Sequence, residues 1–132
     1  MAEPDRQDHS STTVRSWLAA NTQDFINIRH DLHRNPELQF EEYRTASIVA
    51  RELAHYGYTV TSGVARTGVI GTLSKGHGLR AIALRADMDA LPILETTGLP
   101  YASGTPGKMH ACGHDGHTSS LLAAARCIAE NA

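Results

Sequence analysis

The segment Leu79-Arg80-Ala81-Ile82-Ala83-Leu84-Arg85-Ala86 constrains this chain most, because its centre, Ala81 to Leu84, is apolar without alternation. A short run of that kind is the pattern of a strand covered on both faces, so it calls for helices on either side of a sheet. The flanking sequence offers them. Leu18, Phe25, Ile28 and Leu32 recur at steps of seven, three and four, one helical face, in a helix expected from Thr13 to the Asn35-Pro36 break. Glu41 to Tyr56 is rich in helix formers, with Val49 and Leu53 on one side and Gly57 placed to end the helix in a left-handed conformation. YTVTSGV and GVIGTL, before the central run, read as further strands, with a hairpin among the three. A last helix is expected over roughly His117 to Glu130, with Leu121, Leu122, Ala125 and Ile128 on one face.

These elements predict a layered α/β domain over residues 13–132, preceded by a loose polar tail at 1–12. Between Asp87 and Lys108 the prolines and glycines predict a long irregular segment of the kind that carries function. With 12 lysines and arginines against 14 acids the net charge is -2, so nothing draws the chain to nucleic acid. The N-terminus lacks the apolar core of a secretory signal, and no run reaches the ~20 apolar residues of a membrane span. The expectation is a soluble, cytoplasmic protein. Cys112 and Cys127 are the two cysteines; Cys127 sits in an apolar stretch, and a structural disulfide between them is not expected.

The densest chemistry lies in Met109-His110-Ala111-Cys112-Gly113-His114-Asp115-Gly116-His117. Thiolate and imidazole are good ligands for zinc and its neighbours, and alternate residues of an extended segment face one way, so Cys112 and His114 can converge on one ion. His110 shares that side if the segment stays extended. Asp115 could cap the last helix or orient a ligating imidazole from behind. The bland alternative is a helix-capping loop with surface histidines around a reduced thiol. A second polar cluster, Arg85-Ala86-Asp87-Met88-Asp89, ends the expected central strand; strand ends in α/β sheets are where sites form, though two aspartates also serve simply to begin a turn.

RHDLHRNPEL (29–38), LRADMDALPI (84–93) and GKMHACGHDGHT (107–118) together resemble the metallopeptidase-related amidohydrolases. That family includes hippurate hydrolase, indoleacetyl-amino-acid hydrolases, aminoacylases and N-acetyl-diaminopimelate deacetylase. The resemblance runs from about Phe25 to the end of the chain and is specific to the family, not to one substrate. It implies the N-terminal part of a layered phosphorylase/hydrolase-like catalytic domain with a mixed sheet flanked by helices. It implies Cys112 and His114 as metal ligands, His110 behind them, and Asp87 as the catalytic aspartate supporting the site. Arg85 stands where related peptidases carry a ligating histidine; Asp89 stands behind the ligands with His110 or is structural, and His30 and His33 pack or hydrogen-bond.

The implied chemistry is hydrolysis of N-acyl amino acids by water activated between two divalent ions, zinc, manganese, cobalt or nickel, with a glutamate as base. A homodimer is implied for the complete enzyme. In these relatives the base and further ligands follow the region seen here, and Glu130, outside any acidic pair, does not match the base. A zinc site wants about four ligands and this chain offers two or three, so the expectation is an incomplete, inactive part of an amidohydrolase. The alternative is a non-catalytic metal-binding or interaction module. A thiol redox protein is disfavoured because Cys112 lacks a CxxC partner.

Overall fold

A computed structural model describes the backbone of residues 9–132 and side chains from residue 13. The first helix, α1 (His9–Arg34), begins four residues before the expected Thr13; the rest of the expected tail, residues 1–8, lies outside the described residues. Phe25 and Leu32 of its predicted face are buried, and Ile28 packs against the core, whereas Leu18 is exposed. Pro36 follows within two residues of the helix end, where it cannot continue the ladder.

The start of α2 (Tyr43–His55) is satisfied from outside the helix. Glu37 accepts the amides of Arg44 and Thr45 at 2.9 and 2.7 Å, and the Thr45 hydroxyl at 2.8 Å. A carboxylate on orphan N–H groups at the positive end of the helix dipole is a favourable cap. At the other end Gly57 takes φ 88°, with Tyr58 N–H on Leu53 O and Gly57 N–H on Ala54 O, both 3.0 Å. That is the Schellman pattern expected of this glycine.

Two strands follow, β1 (Thr59–Val64) and β2 (Gly68–Thr72), paired antiparallel from Thr59↔Thr72 to Val64↔Gly68. Gly68 is required at the turn, since a Cβ there would stand 2.6 Å from the Val64 carbonyl oxygen. The hairpin rests on α2, and α3 (His114–Asn131) packs against both α1 and α2. Phe25, Val49, Leu122 and Ala123 form the core, sealed by Trp17, Leu53, Tyr56, Val69 and Met88 among others. Arg126 ties α3 to α1, donating to Glu130 and Asp24.

The α/β class holds, and the sheet of the described residues is this one hairpin. Three local expectations are corrected. LRAIALRA forms no strand: Leu79 is fully exposed and Ile82 89% exposed, because β1 and β2 pair with each other and no other described segment pairs with it. The last helix starts at His114, three residues before the expected His117. Its buried face runs through Thr118, Ser119, Leu122, Ala123 and Ala125, with Leu121 half-buried and Ile128 exposed.

Candidate functional site

The irregular segment after the exposed run is stitched to the rest of the chain at two points. Ala90 donates its amide to Glu37 O at 2.7 Å, in a parallel bridge to Leu38. Leu91 and Met109 exchange amide bonds of 2.9 and 3.0 Å. These bridges carry Asp89 and the His110–Gly113 turn to the same place. That turn is closed by Gly113 N–H on His110 O at 3.1 Å, and Gly113 caps α3 with φ 82° and ψ 20°.

A residue with a Cβ is strained in that left-handed conformation, by roughly 1–2 kcal/mol. Gly113→Ala is therefore expected to lower stability by about that amount, read as a drop in the urea midpoint at unchanged slope. No neighbouring atom would clash with the added Cβ, so any larger loss would point to a cause beyond the backbone angle.

His114, the first residue of α3, donates from Nδ1 to Asp89, whose backbone O and Oδ1 both lie at 2.9 Å. That fixes the ring and its tautomer and directs the lone pair to Nε2. Cys112 is exposed on the preceding turn. Asp87 makes other contacts: its carboxylate pairs with Arg85 near the surface, and its carbonyl accepts from the Thr118 hydroxyl at 3.1 Å. The contact to a candidate ligand thus comes from Asp89. His117 lies in the first helical turn, exposed, its ring centroid 5.5 Å from that of His114.

Asp115 does not cap the helix. It lies inside the first turn, 1% exposed, and accepts from His33 Nδ1 at 2.9 Å and Arg29 Nε at 3.1 Å. His33 reaches onward from Nε2 to Glu95 Oε1 at 3.2 Å. Burial works to raise the Asp115 carboxyl, but bonds from His33, the Gly116 amide and Arg29 outweigh it and hold the group below its ordinary value. Glu95 behaves alike: burial opposes ionisation, and bonds from Thr97, the Ser103 amide and His33 prevail. His110 is 4% exposed with neither ring nitrogen hydrogen-bonded, and burial pulls it below the ordinary imidazole value. It is neutral at pH 7 by that shift.

Carboxyls held below their unfolded values contribute stability that is present above those values and is lost as pH falls through the folded ones. Thermal melts are therefore expected to hold steady from neutrality down to about pH 5 and to fall below about pH 4. Glu95→Gln is expected to flatten the acid limb.

Among the described residues, no three His, Cys, Asp or Glu side chains converge to hold a metal ion. Cys112 and His114 offer one edge of such a site, in soft and borderline donors that suit zinc-like cations. The Arg29–His33–Glu95 network was not legible as a unit, since Glu95 stands 62 residues from its partner in a turn-rich loop.

The described residues thus form an α/β unit with an anchored imidazole and a thiol at the start of α3. Residues 83–132 match the family model described as Peptidase family M20/M25/M40. The chain is 55% identical over 106 residues to a hippurate hydrolase of Campylobacter jejuni, covering 80% of this chain and 28% of that protein. It is 50% identical over 106 residues to an IAA-amino acid hydrolase of Arabidopsis thaliana, covering 80% of this chain and 24% of that one. A dinuclear metal-binding M20 peptidase of Bacillus subtilis superposes with TM-score 0.80 at 42% identity, over 85% of this chain and 32% of that chain. The chain is thus similar to M20 peptidases and amidohydrolases, and it spans about a quarter to a third of the length of those it matches. No helix among the described residues is long and apolar enough to cross a membrane.

Proposed function

We propose that this chain is the part of an N-acyl-amino-acid amidohydrolase that contributes Cys112 and His114 to a two-metal centre. The observation that carries the reading is the Asp89–His114 contact: a carboxylate on Nδ1 leaves Nε2 as the ligating nitrogen, the arrangement that a carboxylate behind a metal-bound histidine imposes. The identity to a hippurate hydrolase supports the substrate class of this reading, an acyl group in amide linkage to an amino acid.

A pair of divalent cations, when bound, supplies Lewis acidity toward the scissile amide. The residues of this chain hold and orient. Cys112, exposed, offers its sulfur; His114 offers Nε2 with its ring locked by Asp89. Asp87 supports the centre from the segment end, with Arg85 as the partner of its carboxylate. His110 and Asp115 stand behind the ligands. Glu130 does not take the general-base role, since it is engaged by Arg126 and Trp17 near the far end of α3. Turnover therefore requires residues beyond these, in a protein that works as a cytoplasmic homodimer.

The test is hydrolysis of hippurate by a protein of the relatives' length that contains this segment. Activity is expected to vanish on dialysis against a chelator and to return with zinc, manganese, cobalt or nickel. Hydrolysis untouched by the chelator, or hydrolysis by the 132-residue chain alone at an enzyme-like rate, would overturn the proposal.

A further inference from the structure

Beside the Asp89–His114 pair stands an imidazole that the proposed hydrolysis leaves unused. His117 lies three residues after His114 in the first turn of α3 and is exposed. Its ring makes no hydrogen bond among the described residues. What it meets is the ring of His114, with centroids 5.5 Å apart and planes tilted by 38°. Residues three apart on a helix are neighbours on one face, and that spacing serves for ligand pairs in helical metal sites.

The two rings are spaced as a chelating pair is. Metal–nitrogen bonds of ~2.0–2.1 Å put an ion about 3 Å from the centre of each imidazole, so centroids 5.5 Å apart bracket one ion at about 120°, a little wider than tetrahedral. His114 brings Nε2, because Asp89 holds its Nδ1 at 2.9 Å. His117 has no hydrogen bond to break, so its ring can turn a nitrogen toward the same ion. The Asp89 carboxylate, partly exposed beside the His114 ring, offsets for a cation the positive end of the helix dipole. No third His, Cys, Asp or Glu of the described residues converges with the pair, so water completes the coordination.

We propose that His114 and His117 form a two-imidazole chelate for a divalent transition-metal ion, with Cys112 outside it. Neutral imidazole suits cobalt, nickel, copper and zinc, and affinity rises from cobalt through nickel to copper. The chelate shares His114 with the proposed two-metal centre but draws on no residue beyond this chain and on no hydrolysis. Cys112 separates the two, because that centre takes its sulfur and the chelate does not. Loss of the chelate would therefore leave the hydrolase reading standing, and failure of hippurate hydrolysis would leave the chelate.

The test is a cobalt titration of the 132-residue chain, followed by its histidine ring signals and by near-ultraviolet and visible absorption. The His114 and His117 signals are expected to shift together, ahead of those of His55 and His77, which are also exposed. No thiolate-to-cobalt charge-transfer band is expected. Linking two donors strengthens binding over one by about a hundredfold, so His117→Ala is expected to lose about that factor while Cys112→Ser keeps the wild-type affinity. His117 is exposed and unbonded, so its replacement is expected to leave the amide spectrum outside the first turn of α3 unchanged. Wild-type affinity in His117→Ala would overturn the proposal, as would a first equivalent of cobalt that shifts His114 and leaves His117 unmoved. A sulfur band, or weaker binding in Cys112→Ser, would overturn it too by placing the ion on Cys112.

Discussion

Asp115→Ala is expected to cost about 3–5 kcal/mol of folding stability, the loss typical when one partner of a buried charge pair is removed. Asp115 has no exposed side-chain surface and joins α3 to two residues of α1. Deleting the carboxylate strands His33 Nδ1–H in the interior and leaves Arg29 with a free donor at the groove between the helices. Because a domain of this size has a total stability of about 5–15 kcal/mol, the variant should unfold at a much lower urea concentration, with a slope near that of wild type. Asp115→Asn separates charge from shape: the amide oxygen can still accept from His33, so an intermediate loss is expected. A cost under about 1 kcal/mol for the alanine variant would mean that water reaches this cluster, and the description of it as buried would fail.

Periodicity was enough to place α1 and α2, because each buries a single stripe and the ends carry local signals, Pro36 after one and Gly57 after the other. The start of α3 was harder to read. Gly113 caps it through a left-handed backbone, where a side-chain cap of the Ser, Thr or Asp type would have marked the boundary in sequence. The expected central strand shows a different limit. Apolar continuity reports what a segment would bury, yet a strand exists only with a neighbour to bond, and Leu79 to Ala86 has none among the described residues.

The candidate site divides in the same way. Ligand chemistry and spacing singled out Cys112 and His114 because the information is local, three residues on one turn. Choosing between Asp87 and Asp89 depended on where two bridges, at Leu38 and Met109, carry the segment, and those pairings join residues 52 and 18 positions apart, by 90 − 38 and 109 − 91. The His33 network was further out of reach. RHDLHRNPEL marked His33 as a hydrogen-bonding residue, but its partners come from 62 and 82 residues downstream. Long-range pairing of this kind is fixed by packing, which composition and period do not encode.

The Asp89–His114 contact yields the second large expectation. A metal-ligating histidine whose other nitrogen is held by a carboxylate gains basicity and a fixed orientation, and loss of that carboxylate costs about 10–100-fold in metal affinity. Asp89→Ala, made in a protein of the relatives' length, should therefore weaken zinc binding by that factor, measured by competition with a chromophoric chelator. Its hydrolysis at limiting metal should fall in parallel and recover as metal is raised. Asp89→Asn keeps an oxygen acceptor for Nδ1–H but removes the charge, so it should lose less affinity than alanine. Asp87→Ala makes the comparison sharp, because that carboxylate touches Arg85 and not His114. If Asp87→Ala weakens metal binding while Asp89→Ala leaves it intact, then the imidazole is oriented by something other than its 2.9 Å partner, and the assignment of Nε2 as the ligating nitrogen falls with it.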